Sequence, residues 1–381
     1  MKAIINADLV MRDHFINDAV LFIEDGKIAG YGEMWNTEIP EGCEIIDAEG
    51  EYVGPGLIEI HAHVGGVTIP AWKDPIGAAQ GHLDHGVTTY LPTSHGRFST
   101  EENIIMCNNV REAMKKPEGK SIAGIYFEGP YLNPKYGANR ALSWVKPIMA
   151  EDYEPIIEAA KGLAKVWMLA PEREGALEFV KAAKAAIPEL RFAVGHSEAT
   201  PQQIEALMPY GLCIGTHHTN ATGTIVNYPE CRGCCVDEAV NYNTNIYAEI
   251  ISDKRGIHVD PYMQRLVRKI KGDDKIILIS DTTYYEAPKP KHGYEGVDDL
   301  NFDYEEEIAG SKLTLDVACR NFMKHTGASM VDIFKFASLN AATALGFCDR
   351  GQILEGLRAD LIIVDRKMNV KKVILEGEVV R

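Results

Sequence analysis

The chain contains 381 residues, of which 46% are hydrophobic and 25% are charged, and its formal net charge is −16. This composition excludes a disordered or fibrous chain and allows one large domain with an accessory, or two ordinary domains. The acidic balance argues against nucleic acid and anionic membranes as partners, because both are bound through basic surfaces. An anionic substrate would need a local basic pocket.

Residues 1–53 are predicted to form short strands broken by turns. The segment AVLFIEDGKIAGYGE has alternating apolar positions on both sides of Asp25 and Gly26, a dipeptide typical of tight hairpin turns. The N-terminal segment MKAIINADLVMRDHF lacks the apolar core of a signal peptide, and no apolar run reaches the length of a membrane span. We therefore expect a cytoplasmic protein that does not contact a membrane.

Eight cysteines are scattered along the chain, and only ECRGCC (230–235) brings several together. Scattered thiols fit a reducing compartment better than a disulfide framework. One CxxC without a second cysteine pair is a weak zinc signal. Cys231, Cys234 and Cys235 are therefore predicted to be structural or incidental thiols, with a minor metal site or redox chemistry as the alternative.

Eight short apolar runs, each followed by a stretch of helical spacing, succeed one another from Leu57 onward. Near-continuous apolar strands that alternate with helices predict an α/β fold with a parallel sheet buried on both faces. The number eight favours a closed (β/α)8 barrel of the TIM type over an open sheet. The runs are LIEIHAH (57–63), VTTYLPTS (87–94), IAGIYFEG (122–129), VWMLAPE (166–172), RFAVGHS (191–197), LCIGTHH (212–218), NIYAEIIS (245–252) and KIILISD (275–281).

The C-terminal part returns to the style of the N-terminus. Helical spacing is predicted in 314–324 and 331–344, after which 351–381 shows strand alternation with turns at glycines. We therefore expect 1–53 and 351–381 to fold together into a small β domain beside a barrel formed by 54–350. The acidic run DDLNFDYEEE, residues 298–307, is predicted to be a solvated loop or a lid.

Polar side chains stand where the predicted strands end. In a barrel the carboxyl ends of the strands converge on one mouth, so these groups are expected to meet there. Imidazole and carboxylate together suit zinc, iron, manganese or cobalt, and the absence of cysteine argues against a purely structural zinc site. The residues are His61 and His63 on strand one, Glu128 on strand three, His196 on strand five, His217 and His218 on strand six, and Asp281 on strand eight.

Some histidines are less suited to bind a metal. His218 is adjacent to His217 and on a strand would point to the opposite face, so His217 is the predicted ligand. His82, His85 and His95 flank strand two without partners at ligand spacing, and are predicted to lie at the surface or behind the ligands.

The chain carries a series of segments, in this order: PGLIEIHAH, GVTTYLPTS, YFEGPYLNP, VGHSEAT, THHTNAT, GIHVDP, LISDTT, IAGSKLTL and GLRADLIIVD. This series resembles the amidohydrolase superfamily and, within it, the N-acetylglucosamine-6-phosphate deacetylase family. The resemblance implies a (β/α)8 barrel with a β-sandwich built from both termini. It also implies a homodimeric, metal-dependent hydrolase that removes the N-acetyl group of an amino sugar, first of all N-acetylglucosamine 6-phosphate.

The resemblance assigns metal ligands. It implies that Glu128, His196 and His217 bind the principal ion, with His61 and His63 forming a second position shared through Glu128. One or two divalent ions are expected, zinc first, with iron, manganese or cobalt as alternatives. Strand four ends without a lysine, so Glu128 takes the place of the carboxylated lysine that other members of the superfamily use.

Other residues are expected to act on the substrate. Asp281 is predicted to take a proton from the attacking water and return it to the leaving nitrogen. By the same resemblance, His258 and the backbone around Asn220 and Ala221 would hold the sugar and its phosphate.

Three segments depart from the family pattern, all of them around the substrate. His218, Thr219 and Thr222 replace apolar residues of the family. The segment NYPECRGCC stands where the family has an arginine that reaches the phosphate across a dimer interface, with Arg232 as the nearest candidate. Asn139 lies where the family tends to have a histidine.

These departures leave the substrate open. Lys135, Arg140 and Arg232 could rebuild an anion pocket, or be solvated surface charges. The alternatives are N-acetylgalactosamine 6-phosphate, an unphosphorylated amide or another N-acyl compound. A member of the superfamily without catalytic activity, used as a scaffold, is a further alternative.

Overall fold

The computed structural model describes residues 1–66, 68–138, 140, 144–286 and 290–381 and has a mixed α/β fold. Within these ranges no helix combines the length and apolar character needed to cross a bilayer. In chain order the strands are β1 (Lys2–Val10), β2 (Phe15–Glu24), β3 (Lys27–Glu33), β4 (Glu44–Asp47), β5 (Tyr52–Pro55), β6 (Leu57–Ala62), β7 (Val64–Gly65), β8 (Ile69–Pro70), β9 (Val87–Pro92), β10 (Ile125–Glu128), β11 (Ala164–Leu169), β12 (Arg191–Val194), β13 (Leu212–Gly215), β14 (Val226–Tyr228), β15 (Cys231–Arg232), β16 (Tyr247–Ile251), β17 (Ile276–Ile279), β18 (Leu300–Phe302), β19 (Ile308–Ser311), β20 (Leu361–Val364), β21 (Val370–Leu375) and β22 (Glu378–Val379). The α-helices are α1 (Pro75–Leu83), α2 (Thr100–Ala113), α3 (Ala150–Ala160), α4 (Ala176–Ala186), α5 (Pro201–Leu207), α6 (Val236–Tyr242), α7 (Pro261–Lys271), α8 (Leu315–Thr326), α9 (Met330–Phe334) and α10 (Asn340–Leu345).

Strands from both ends of the chain pair in one sheet. Its order is β22-β21-β20-β5-β1-β2-β3, and β4 pairs with β1. The predicted hairpin is confirmed as β2 and β3, and its turn residues Asp25 and Gly26 have φ angles of 49° and 73°, as a type I′ turn requires. The sheet continues through β5 to Pro55, two residues beyond the predicted boundary at residue 53.

The apolar runs form parallel strands. The order β10-β11-β12-β13-β16-β17 makes one parallel sheet, and β6 pairs with β9 in parallel. Bridges from Tyr90 to Ile122 and from Thr93 to Tyr126 join β9 to the start of the larger sheet. Nearly every residue of these strands is buried, because helices cover the outer face and side chains fill the inner one. Each of the eight predicted runs thus contains a parallel strand.

A buried glutamate joins β6 to β17. The Glu59 carboxylate accepts hydrogen bonds from the backbone N–H of His61 at 2.9 Å and of Ser280 at 3.0 Å. Burial raises the pKa of Glu59 to about 7, although both hydrogen bonds oppose the rise. Just beyond, the N–H of Asp281 donates to the carbonyl of His61 at 2.9 Å. These contacts place the ends of the two strands side by side.

The region after β17 differs in part from expectation. The predicted helical segments are confirmed as α8, α9 and α10, with a π-helical turn over Lys335–Leu339 between the last two. The solvated-loop prediction is wrong for Leu300–Phe302, which forms β18, pairs with β19 and is buried. The apolar side chains Leu300 and Phe302 inside the acidic run account for this burial, while Glu305 and Glu306 remain exposed.

His82 is a core residue, so the surface alternative is wrong for it. Its Nε2 atom lies 3.1 Å from the carbonyl oxygen of Val64, and its ring lies 4.2 Å from that of Tyr90. His85 is partly exposed, and its Nδ1 lies 3.3 Å from a carboxylate oxygen of Asp316. His82, in the last turn of α1, therefore faces the core, whereas His85, in the turn that follows α1, lies nearer the surface.

We expect the His82→Gln variant to lose less stability in acid than the wild-type chain. Burial is the main reason why the pKa of His82 falls from 6.5 to about 3. Because the unfolded chain takes up this proton more readily, the stabilisation is present above pH 6.5 and is lost as the pH falls toward 3. Each pKa unit is worth about 1.4 kcal/mol, so the fall from 6.5 to about 3 corresponds to about 5 kcal/mol.

The measurement is the urea unfolding free energy of chelator-treated protein at several pH values between about 7 and 4. The control is His292→Gln, because the His292 side chain is 99% exposed. Equal pH slopes for His82→Gln and the wild-type chain would show that His82 does not cause the acid loss.

Candidate metal centre

His61 and His63 project from the end of β6 into a cluster of charged groups. Strand alternation places both on the same side, as predicted. The Nε2 atom of His63 lies 3.2 Å from Oε2 of Glu128, and Nε2 of His61 lies 3.6 Å from Oε1. Their Nε2 atoms also face Oδ1 of Asp281, at 3.4 Å from His63 and 3.7 Å from His61.

Glu128 ends β10 and is shared between two groups of possible ligands. Its Oε1 lies 3.1 Å from Nε2 of His196 and 3.4 Å from Nε2 of His217, and these two nitrogens are 3.0 Å apart. In each of the groups His61–His63–Glu128 and Glu128–His196–His217, one possible ligand atom per residue lies within 4.8 Å of the others. The predicted convergence of these five side chains is therefore observed.

Three of the site residues have a left-handed backbone. His196, His217 and Asp281 have φ angles of 44°, 31° and 47°, and each stands two residues after the end of its strand. Residues with a Cβ atom avoid this region because of steric crowding, so the surrounding contacts must maintain it. For Asp281 these are the bonds from its N–H to the carbonyl of His61 and from the N–H of Ser311, 2.8 Å away, to its own carbonyl.

The carboxyl groups of the cluster favour the ionised form. Burial opposes ionisation of Glu128, but the neighbouring imidazoles of His196, His217, His61 and His63 hold its pKa well below the usual range. Burial also opposes ionisation of Asp281, but the hydrogen bond from His63 together with the charges of His61 and His63 outweighs it, so that this pKa is lowered too. The floor of the site is therefore a compact set of carboxylates and imidazoles.

The cluster fits a divalent metal ion. Nε2 of His61 is buried without a hydrogen-bond partner, although two carboxylate oxygens lie just beyond bonding distance. Nε2 atoms of His196 and His217 point at each other across 3.0 Å, an arrangement in which at most one can donate to the other. A cation satisfies such inward-pointing lone pairs together, and nitrogen with carboxylate oxygen is a common donor set for zinc and its neighbours.

Glu249 is a functional residue that the sequence reasoning missed. It is fully buried in β16, and its Oε2 lies 3.3 Å from Nδ1 of His61 and accepts from the N–H of His217 at 3.3 Å. A carboxylate on the second ring nitrogen orients a metal-binding histidine and raises its basicity. The available signal was a glutamate inside the apolar run NIYAEIIS, because a charged group on a buried strand needs a partner.

The loop that carries His196 is anchored by Glu172. The Glu172 carboxylate accepts from Oγ of Ser197 at 2.7 Å, from the N–H of Glu198 at 2.7 Å and from Nδ2 of Asn133 at 2.8 Å. Gly137 packs against the His196 ring so closely that a Cβ atom at this position would clash with Nδ1. The His196 imidazole is thereby held between its hydrogen-bonded loop and the backbone at Gly137, which has no side chain.

A pocket opens above the cluster. Asn220 and Ala221 line it as expected, and the Asn220 carbonyl oxygen lies 3.1 Å from Nδ1 of His217. His95 also lines it and stacks on His63 with the ring centroids 4.2 Å apart, so it lies behind a candidate ligand rather than at the surface. The other lining residues are Gly96, Arg97, Leu132, Tyr136, Gly137, Ala138, Thr283, Tyr285, Ile308, Ala309 and Gly310, besides the charged cluster.

Other predicted substrate residues lie elsewhere. His258 is buried beside the pocket, with its Nδ1 3.2 Å from a carboxylate oxygen of Asp253, and is not among the lining residues. Arg232 is exposed on β15 and pairs with Glu238 at 2.6 Å. Asn139 lies outside the described residues. His218 turns away from the cluster, and its Nε2 lies 3.1 Å from the side-chain oxygen of Asn241.

The remaining candidates for basic and thiol chemistry are also away from the cluster. Lys135 pairs with Glu198 at 2.5 Å, and Arg140 lies 3.9 Å from Glu307. The cysteines Cys231, Cys234 and Cys235 are free thiols, the first two exposed and the third buried. In the described part of the chain, none of them belongs to a group of possible metal ligands.

The chain is similar to several known proteins. A model of the amidohydrolase family matches residues 255–380. The chain is 28% identical over 391 residues to the N-acetylglucosamine-6-phosphate deacetylase of Bacillus subtilis (strain 168), covering 97% of this chain and 95% of that protein. It is 25% identical to the N-acetylgalactosamine-6-phosphate deacetylase of Escherichia coli O157:H7, covering 97% of each.

A solved structure extends the comparison to the whole fold. The crystal structure of the N-acetylglucosamine-6-phosphate deacetylase from Thermotoga maritima matches with a TM-score of 0.83 and 26% identity, covering 100% of this chain and 99% of the other. The sequence motifs, the parallel strands and the glutamate shared by the two groups of possible ligands, Glu128, thus all occur in the present chain. The chain is therefore similar to the amidohydrolase family over residues 255–380 and to these deacetylases over nearly its whole length.

Proposed function

We propose that the protein hydrolyses the N-acetyl amide of a phosphorylated amino sugar, with N-acetylglucosamine 6-phosphate as the first candidate and acetate as one product. The observation that carries this proposal is the meeting of Glu128 with four imidazoles and Asp281 at the base of one pocket. The names of the related deacetylases from B. subtilis and T. maritima support the choice of substrate.

A divalent metal held by Glu128, His196 and His217, and shared with His61 and His63, would activate water and polarise the amide carbonyl. Zinc is our first candidate, with iron, manganese and cobalt as alternatives, because the donor set contains nitrogen and carboxylate oxygen. Metal analysis of the purified protein counts how many of the two ligand groups are filled.

Asp281 moves the proton in this proposal. Its carboxylate takes a proton as the water oxygen bonds to the carbonyl carbon, and gives it to the nitrogen as the carbon–nitrogen bond breaks. The backbone bonds on both sides of Asp281 hold the carboxylate next to His63, so little rearrangement is needed between the two transfers. Asn220 and Ala221 are proposed to contact the sugar from the opposite wall of the pocket.

We extend the proposal to the architecture. The parallel strands would close into a (β/α)8 barrel over residues 54–350, which the contacts of Glu59 between β6 and β17 support. Residues 1–53 and 351–381 would form a β-sandwich domain beside it, supported by their shared sheet. A cytoplasmic homodimer remains our expectation, and in it His258 would reach the substrate as the resemblance implies.

A deacetylation screen tests the function. Protein of known metal content is incubated with N-acetylglucosamine and N-acetylgalactosamine, each with and without a 6-phosphate, and released acetate is measured. Faster turnover of N-acetylgalactosamine 6-phosphate would indicate that the protein prefers the sugar named for the E. coli relative. Equal rates with and without phosphate would indicate another N-acyl substrate. A purified protein that holds no transition metal and gains no activity from added metal would indicate a scaffold.

We expect the double variant His61→Ala/His63→Ala to keep one metal ion per chain and reduced but measurable turnover. Removing the pair leaves Glu128, His196 and His217 in place, within 3.0–3.4 Å of one another. The measurement is metal content by mass spectrometry beside kcat on the best substrate of the screen. A double variant that purifies folded but without metal would show that the two ligand groups cannot be occupied separately.

A further inference from the structure

Arg97 differs from every other arginine or lysine near the site. Of the residues that line the pocket in the described part of the chain, it is the one with a permanent positive charge. Lys135, Arg140 and Arg232 all have carboxylate partners, at 2.5, 3.9 and 2.6 Å. Arg97 has no ion pair among the described residues, and its guanidinium carbon lies 6.0 Å from the centre of the Tyr285 ring.

The turn that carries Arg97 is held firmly. His95 stacks on His63, and Phe98 packs edge-on against Trp72 with ring centroids 5.2 Å apart. Directly after the turn, Ser99 caps α2, with its N–H donating to the Glu102 carboxylate at 2.9 Å and its Oγ accepting from the Glu102 N–H at 3.2 Å. The backbone beneath Arg97 is therefore anchored on both sides, so that ordering its side chain on a ligand costs less entropy than in a mobile loop.

The negative charge of the pocket means that an anionic ligand requires a cationic side chain there. Glu128 and Asp281 form its floor, and the whole protein carries a formal net charge of −16. A phosphate monoester that enters this field away from the metal cluster is repelled unless a further cation faces it. A guanidinium is well suited to that task, because its planar set of donors matches the phosphate oxygens.

We propose that Arg97 binds the phosphate of the substrate from within the same chain. This inference rests on the proposed function for the nature of the anion, and it assigns phosphate selection to the turn after β9 rather than to Arg232. Arg97 is then a specificity-determining residue that contacts the substrate but takes no part in proton transfer. It also explains how a chain that departs from its family around Arg232 can still accept a phosphorylated sugar.

The test compares Arg97→Ala, Arg97→Lys and Arg232→Ala with the wild-type protein. We expect Arg97→Ala to lower the ratio of kcat/KM for N-acetylglucosamine 6-phosphate over N-acetylglucosamine by about 10- to 100-fold, mainly through KM, as loss of a charge-assisted hydrogen bond predicts. Arg97→Lys should recover part of the ratio, because it keeps the charge and loses the planar donor set. Arg366→Ala, an exposed arginine in the turn after β20, is the matched control and should leave the ratio unchanged.

Titration of the metal-loaded proteins with inorganic phosphate separates this inference from the proposed function. If the wild-type protein deacetylates the phosphorylated sugar and Arg97→Ala keeps the same ratio, the inference is overturned while the function stands. If Arg232→Ala lowers this kcat/KM ratio and Arg97→Ala does not, the phosphate is assigned to Arg232, and the inference is again overturned. If no N-acetyl hexosamine is hydrolysed, the function fails, and weaker phosphate binding by Arg97→Ala still supports the inference, whereas equal binding overturns it.

Discussion

Asp281→Asn is expected to lower kcat by about 10²- to 10⁴-fold, the range typical for loss of a positioned acid–base group. An asparagine has nearly the same shape and can keep the contacts with His63 and with the neighbouring backbone. It cannot take a proton from water at neutral pH, so the water would have to transfer its proton to solvent. Metal content and the thermal unfolding midpoint should stay close to those of the wild-type protein.

The control for this variant is Asp316→Asn. Asp316 is also a buried carboxyl, but it pairs with His85 and Arg320 and does not line the pocket. Its replacement should lower the unfolding midpoint and leave kcat unchanged. Near-wild-type turnover in Asp281→Asn, with the metal still bound, would mean that another group moves the proton.

Glu128→Gln is expected to remove metal from both ligand groups and to abolish turnover. Glu128 is the residue common to the two groups, and its oxygens face four imidazoles at 3.1 to 3.6 Å. Glutamine keeps one oxygen, loses the negative charge and turns N–H donors toward the histidines. Loss of a partner behind a metal ligand costs about 10- to 100-fold in affinity, so the loss of a ligand should exceed about 100-fold.

Metal titration of chelator-treated protein measures this effect, with circular dichroism to show that the variant is folded. The informative comparison is with His61→Ala/His63→Ala, which removes one group and leaves the other. If Glu128→Gln still bound metal as tightly as that double variant, Glu128 would not be the shared ligand. Asp316→Asn again serves as the control for removal of a buried carboxyl away from the site.

Local sequence patterns predicted much of the fold. The spacing of apolar residues distinguishes strands from helices, and the position of a polar residue at the end of a strand indicates where its side chain lies. Runs of buried residues that alternate with helical spacing predicted the parallel strands. His61, Glu128 and His196 were predicted to converge because each lies at the end of such a run, and the ends of parallel strands meet. The same reasoning was less successful for 300–302, where charges in the surrounding segment concealed two apolar residues that become buried.

Groups that are far apart in the sequence could not be paired by local patterns. Glu249 and His61 are separated by 188 residues, and only the packing of β16 beside β13 brings the carboxylate under the ligand. Local patterns do not single out Arg97 either. It lies in the turn after β9, and the folded chain brings this turn to the pocket, where His95 stacks on His63.

The sequence by itself determined the parallel strands, the identity of the side chains at their ends and the likeness to the amidohydrolases, since all of these are encoded by residue type and spacing. Tertiary structure decided the rest. The left-handed backbone at His196, His217 and Asp281 is disfavoured for these residue types and exists because contacts from other strands maintain it. Carboxylates also pair with Lys135, Arg140 and Arg232, so that among the described residues Arg97 is the cation that we propose for the phosphate.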